Sequence, residues 1–379
     1  MKKIKYICFF DSQEENNHRY YVVAAANKMQ YIINVLRDLG FTSHLISCSW
    51  STREVPCFVK GFTENREDYC ITFFPSIGGK GLLTKVIQRL FYKINLFFYL
   101  LSHTQKDEVV IAYHSLAYSW ILFLAKKIKK FKLILEVEEI YQDVVSVTSI
   151  VRHGENLIFQ SADAFVFSTE LLKERLNKCG KPSVIIYGSY SIPADFAPKI
   201  DDGKIHVVYA GTFDPRKGGC VAASAAEFLP SNYVMHVCGF GNNQQITELK
   251  RIIEKNNIEL SNARIEYEGL LKGKSYLNFL QSCHIGLSPQ DPNASFNATS
   301  FPSKILSYLS NGLSVVSIRI EAIERSGVCK SISFYDIQSP QEIAKAIIKA
   351  NPNNHSIDVI EELDRNFRKE LIEMLNCFS

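Results

Sequence analysis

The sequence lacks paired cysteines: its ten are scattered from Cys8 to Cys377, with no CxxC pair and no metal-ligand spacing. That excludes a zinc-ribbon or disulfide-scaffold class and fits reduced thiols in a cytoplasm. Long apolar runs are missing too, none approaching the ~20 residues a membrane span needs. The start MKKIKYICFFD is basic, but its apolar part ends at Asp11, too short for a signal peptide, so a cytoplasmic chain is expected. Acidic residues are absent between Tyr69 and Lys106.

What is present describes a globular protein: 379 residues, 46% hydrophobic and 22% charged, long enough for two or three domains. The net charge of +4 is uneven. Residues 1–190 carry 24 Lys and Arg against 18 Asp and Glu, and the remainder is slightly acidic. An excess of six cations on a domain this size is modest, so no nucleic-acid partner is expected. The acid-free window holds Lys85, Arg89 and Lys93 at four-residue spacing, which on a helix makes a stripe beside Leu83, Ile87, Leu90, Phe91, Ile94, Phe97 and Phe98. An anionic membrane surface is therefore a candidate partner of residues 80–101. The alternative is a core-facing helix with solvated lysines.

The first half alternates predicted strands (Ile4 to Phe10, His44 to Cys48, Ile71 to Phe74, Val109 to Tyr113, Leu133 to Val137, Ala164 to Ser168, Val184 to Tyr187) with helices, implying a mostly parallel sheet. Residues 191–204, rich in Pro and Asp and without periodicity, read as a linker. A second alternation fills 205–350, and a final helix lies in 351–379, a candidate to pack back on the first domain. Within the second half, Thr299 to Ser317 reads as helix, tight turn and buried strand. Pro302 suits the first helical turn, and a phosphate above Ser303 and Lys304 would meet unpaired helix-start amides.

Four blocks then stand in order: VVYAGTFDPRKGG (207–219), HVCGFGN (236–242), IEYEGLL (265–271) and SFPSKILSYLSNGLSVVS (300–317). Together they resemble the donor-binding half of glycosyltransferase family 4, with residues 1–200 a weaker match to the acceptor half. The resemblance implies an α/β chain of GT-B fold, two Rossmann-like domains facing across a cleft. It also implies a nucleotide-sugar donor in the second domain, a glycan or lipid-linked glycan acceptor in the first, and transfer with retained configuration, as in surface polysaccharide synthesis.

Onto this sequence the resemblance carries donor contacts at Gly211, Thr212, Gly239, Gly241, Glu268, Gly269, Thr299, Ser303, Lys304 and Ser307. Lys217 and Arg216 are expected to neutralise the leaving phosphate, and His114 and Glu138, at predicted strand ends of the first domain, to face sugar or acceptor. Glu136 and Glu139 flank Glu138. A satisfied loop histidine and a solvated turn are the alternatives for His114 and the glutamates. No Asp-x-Asp triplet occurs, so no metal or other cofactor is expected. Three positions depart from the family: Thr212 replaces an arginine, and Thr299 and Ser307 stand where many members have two glutamates. A catalytically silent member that binds a nucleotide or a partner transferase is the alternative reading.

Overall fold

The computed structural model describes residues 2–11, 17–258, 262–352 and 356–378. The chain divides into two compact units, Met1–Ser189 with Asn366–Ser379, and Tyr190–Arg365.

The first unit is built on apolar, β-rich segments that pair in parallel: β1 (Lys2–Cys8), β2 (Phe41–Ser47), β5 (Tyr69–Phe73), β7 (Val109–Tyr113), β8 (Lys132–Val137), β9 (Ala164–Phe167) and β10 (Ser183–Ile185). With β4 (Phe62–Asn65) antiparallel on the edge, the order is β10-β9-β8-β7-β1-β2-β5-β4. Strand order reverses between β1 and β7, so the carboxyl ends of these two strands form the switch point where open α/β sheets take their ligands. The sheet packs under α1 (Val23–Asp38), α2 (Leu82–His103), α3 (Ser119–Lys129), α4 (Tyr141–Val144), α5 (Ser149–Ser161) and α6 (Glu170–Leu176).

Three short strands are missing from the sequence expectation. β4 is largely exposed, and β3 (Cys57–Val59) with β6 (Ser76–Gly78) makes a two-stranded antiparallel ribbon. Neither carries the apolar run by which a buried strand is recognised. The orientation of α2 also differs from that of an ordinary core helix. Its sheet-facing positions are Gln88, Tyr92, Leu96 and Leu100. Leu82, Leu83, Leu90, Ile94 and Phe98 are instead 80, 73, 53, 53 and 62% exposed. The more apolar face of this helix points to solvent.

The second unit has a six-stranded parallel sheet: β11 (Ile205–Thr212), β12 (Tyr233–Phe240), β13 (Arg264–Gly269), β14 (Ile285–Ser288), β15 (Ser314–Ile318) and β16 (Ile332–Tyr335). The order is β13-β12-β11-β14-β15-β16, a doubly wound arrangement with its switch point between β11 and β14. Its helices are α7 (Gly219–Ser224), α8 (Asn243–Asn256), α9 (Gly273–Ser282), α10 (Lys304–Ser310), α11 (Glu321–Glu324) and α12 (Pro340–Lys349). α10 starts at Lys304, two residues later than expected. Pro302 instead opens the turn that leads into the helix, its carbonyl accepting from Ile305 N at 3.0 Å.

Residues 191–204 form no helix or strand but are tied to the second unit. Ala197 N donates to Gln281 Oε1 at 2.8 Å, and Ile200 N to Ser282 O at 3.0 Å. The last helix, α13 (Ile357–Asn376), belongs to the first unit from Asn366 onward. There Phe367 lies 5.9 Å from the Tyr31 ring, and Arg368 Nη1 is 2.9 Å from Asp38 Oδ2.

Candidate donor site and the switch point of the first unit

In the second unit, the site grows from the loops after β11, β12, β13 and β14. Backbone hydrogen bonds join them: Phe213 N donates to Phe240 O at 2.8 Å, and Asp291 N to Arg216 O at 2.9 Å. Gly211 and Gly239 make the tightest of these approaches. A Cβ at Gly239 would stand 1.7 Å from Gly211 O, so only hydrogen fits. Gly241 lies in the same turn, followed by the capping box of Asn242 and Gln245 that opens α8.

Below Gly211 sits Lys304. Lys304 and Tyr308 are four apart on α10 and share a face. Tyr308 is buried, and its hydroxyl oxygen accepts from Ala210 N at 2.9 Å, which fixes the helix to β11. Lys304 Nζ is thereby held 4.1 Å from the centre of the Tyr209 ring, and a Cβ at Gly211 would meet it at 3.1 Å. Burial, with the charge of nearby Lys217 acting the same way, lowers the Lys304 ammonium to about 7. Two cations thus converge beneath a glycine turn at the switch point, an arrangement suited to an incoming phosphate.

Lys217 ends the 3₁₀ turn Pro215–Lys217 and is half-buried. Arg216 is 66% exposed, and its guanidinium is gripped by Asp214, with Nη2 to Oδ2 at 2.6 Å and Nε to Oδ1 at 3.0 Å. The hydrogen bonds from Arg216 hold Asp214 down to about 2. Thr212 turns inward on its own loop, its Oγ1 accepting from Asp214 N at 3.0 Å.

Ser303 is exposed just before α10, and Thr299 is buried after the turn Ser295–Ala298. Ser307 lies beside the Tyr276 side chain on α9, whose phenol is pushed up to about 12, chiefly by burial. A tyrosine thus neighbours the position where the resemblance leads one to expect a glutamate. The sequence does not reveal this neighbour, 31 residues upstream on another helix.

Glu268 and Gly269 lie at the end of β13, where Glu268 is the bulged residue between the pairs Val237–Tyr267 and Cys238–Gly269. Glu268 ends a buried polar row: Asp202 Oδ1 to His206 Nε2 at 3.0 Å, His206 Nδ1 to His236 Nε2 at 2.8 Å, and His236 Nδ1 to Glu268 Oε1 at 2.8 Å. His236, Glu266 and Glu268 also offer ligand atoms within 4.8 Å of one another.

In the first unit, the expected acceptor residues separate. Glu138, after β8, is half-buried and paired with Lys28 from α1. Its neighbour Glu136 is buried, receives a hydrogen bond from the Tyr6 hydroxyl, and is raised to about 7, mainly by burial. The structure places His114 inside, only 2% exposed, rather than facing an open mouth. It is packed between the rings of Tyr141 (5.2 Å) and Phe159 (4.8 Å), with Glu155 Oε1 3.4 Å from Nε2. Burial drives its pKa down to about 3, so it is neutral.

Sequence reasoning missed an aromatic cluster at the switch point of this sheet. Phe9, following β1, lies 5.4 Å from Tyr118, 5.5 Å from Trp50 and 5.6 Å from Tyr92. Tyr20 stacks on Trp50 at 4.2 Å and remains 38% exposed. Aromatic residues just after β1 and β2 were its only sequence signal.

The class defined by these two doubly wound units is the GT-B fold, and comparison with solved structures shows the same. No protein-family model and no curated protein matches the sequence. Among solved structures, the chain is similar to sucrose-phosphate synthase from Thermosynechococcus elongatus, with TM-score 0.70, 12% identity, and 99% of this chain and 98% of that one covered. HepE of Anabaena, in complex with UDP, matches with TM-score 0.61 and 12% identity over the full length of both chains. The E. coli trehalose-6-phosphate protein bound with UDP-2-fluoro glucose matches with TM-score 0.63 and 11% identity, covering 98% of each chain. Among the described residues, no helix is long and apolar enough to cross a membrane.

Proposed function

We propose that the chain is a retaining glycosyltransferase of the family 4 kind. It takes a nucleotide-sugar in the second unit and passes the sugar to a glycan or lipid-linked glycan bound by the first, in surface polysaccharide synthesis. The observation that carries this reading is the pairing of Lys304 and Lys217 beneath Gly211 at the switch point. Breaking a glycosidic bond to a nucleoside diphosphate leaves negative charge on the departing phosphate while an oxocarbenium-like centre forms. Two lysines and the loop amides stabilise that charge without a metal. UDP is the first nucleotide to test, being named with two of the similar structures.

The exposed Tyr20–Trp50 pair offers an apolar face for a sugar ring. The outward apolar stripe of α2, flanked by Lys85, Arg89 and Lys93, fits a helix lying on an anionic membrane. That supports a cytoplasmic chain working at the inner membrane face, where a lipid-linked acceptor would be met.

Two contacts favour the second reading, a silent member that binds nucleotide or a partner transferase. Arg216 is occupied by Asp214, and Ser307 is flanked by Tyr276. Release of free sugar from the donor without acceptor separates the two. Slow hydrolysis by the native chain and its loss in Lys217→Ala support transfer. Tight nucleotide binding with no turnover for any donor supports the silent member.

A further inference from the structure

At the amino-terminal edge of the first sheet, opposite the strand ends that carry Phe9, His114 and Glu138, lies an open depression of about 440 Å³. Five of its lining residues are lysines: Lys106, Lys126, Lys127, Lys130 and Lys132, with Asp107 the acidic residue among them. Basic residues in the last turn of α3 are ordinary, since they complement the helix dipole. That does not explain why Lys106, before β7, and Lys132, opening β8, join them.

Some of the charge is answered. Lys126 pairs with Asp163, and Lys132 lies 3.5 Å from Asp107. Lys127 and Lys130 are exposed, and Lys127 Nζ rests 5.0 Å from the centre of the Phe123 ring. The rim is also conformationally unusual. Asp107 and Lys130 both adopt left-handed backbone angles, φ 61° and 56°, and Asp107 N donates to Lys130 O at 3.2 Å. Non-glycine residues take this conformation uncommonly.

The depression adjoins the carboxyl end of α2. Lys129 Nζ donates to Leu101 O at 2.8 Å, and Lys106 follows the helix by three residues. Ile128, between these lysines, is 60% exposed. An outward apolar stripe therefore runs along α2 into a ring of cations.

We infer that this depression seats the phosphate headgroup of an anionic phospholipid, anchoring the first unit to a bilayer. Its place at the amino ends of the strands sets it apart from the edge where the acceptor is read, so it is an anchor and takes no part in transfer. The inference rests on the reading of α2 as a membrane-facing helix. Charge complementarity names the occupant: the site is cationic, open, and continuous with an apolar face that a soluble anion would not cover.

Co-sedimentation of the full chain with phosphatidylglycerol–phosphatidylcholine vesicles tests it. Lys127→Gln/Lys130→Gln removes two of the exposed cations, leaving Lys106, and should lower vesicle affinity by roughly 30-fold. Lys250→Gln/Lys255→Gln, on α8 of the second unit, should leave it unchanged. Wild-type binding by the Lys127/Lys130 variant, or an equal loss in the control pair, overturns the headgroup site, whether or not inorganic phosphate binds in solution. Leu90→Ser/Ile94→Ser/Phe98→Ser separates the two readings. If it alone loses binding, the pocket fails and the α2 reading stands. If the lysine variant alone loses binding, the cations meet the vesicle without the α2 stripe, and the anchor inferred from the two together is overturned.

Discussion

The most informative single side chain is Lys304. Its ammonium is lowered to about 7, so above neutral pH the empty site holds it largely neutral. A bound phosphate favours the charged form and pulls a proton back from solvent. Nucleotide diphosphate binding should therefore take up a proton, approaching one per molecule as pH rises above 7, with affinity falling over the same range. Calorimetric titration at pH 8 in two buffers of different ionisation enthalpy measures this directly. Lys217→Ala removes the other lysine of the site and should cut turnover by about 10² to 10³, with a smaller effect on donor affinity. Full activity in that variant would refute the phosphate assignment. Ser307→Glu places the carboxylate that the family 4 resemblance would lead one to expect beside Tyr276. The expected outcome is nucleotide binding weaker by about 1 to 2 kcal/mol, because the new charge displaces the tyrosine without a ready partner. Tighter binding would mean that the ribose contact was simply lost.

At the scale of elements, α2 carries the proposed membrane contact. A core helix buries its most apolar stripe, whereas α2 buries Gln88, whose Nε2 donates to Ser51 O at 3.0 Å, and Tyr92. Replacing Lys85, Arg89 and Lys93 with Gln should weaken binding to anionic vesicles by roughly 1 kcal/mol per residue while leaving the circular dichroism unchanged. Unchanged sedimentation of that variant would leave the outward stripe without an occupant.

The sequence made the presence of this helix legible, but not its orientation. Apolar residues cover more than half its circumference, so periodicity alone cannot choose the inward face. The buried parallel strands were readable because β11, β12 and β15 are apolar runs between turn signals. The edge strand β4 was not, since Thr, Glu and Asn dominate it. The strand assignment also hid the polar row. His206 and His236 read as interruptions of apolar strands, and only the register of β11 against β12 brings them together.

For the whole molecule, two units mean two cores, so unfolding need not be two-state. A ligand of the second unit should raise that unit's transition selectively. The glycine loops and lysines of that unit were legible in the sequence because phosphate sites are built from contiguous turns. The aromatic cluster of the first unit was not, because Phe9, Tyr20, Trp50, Tyr92 and Tyr118 come from five separate segments. The measurement that tests the donor site most directly is thermal unfolding of the native chain and of Lys304→Met with UDP, GDP, ADP, CMP and their sugars. At about 100 times its dissociation constant, the correct nucleotide should stabilise the native second unit by about 2.7 kcal/mol. The shift should be largely lost in Lys304→Met. If no nucleotide shifts the native chain, or the variant responds equally, the phosphate site at Gly211, Lys217 and Lys304 is contradicted.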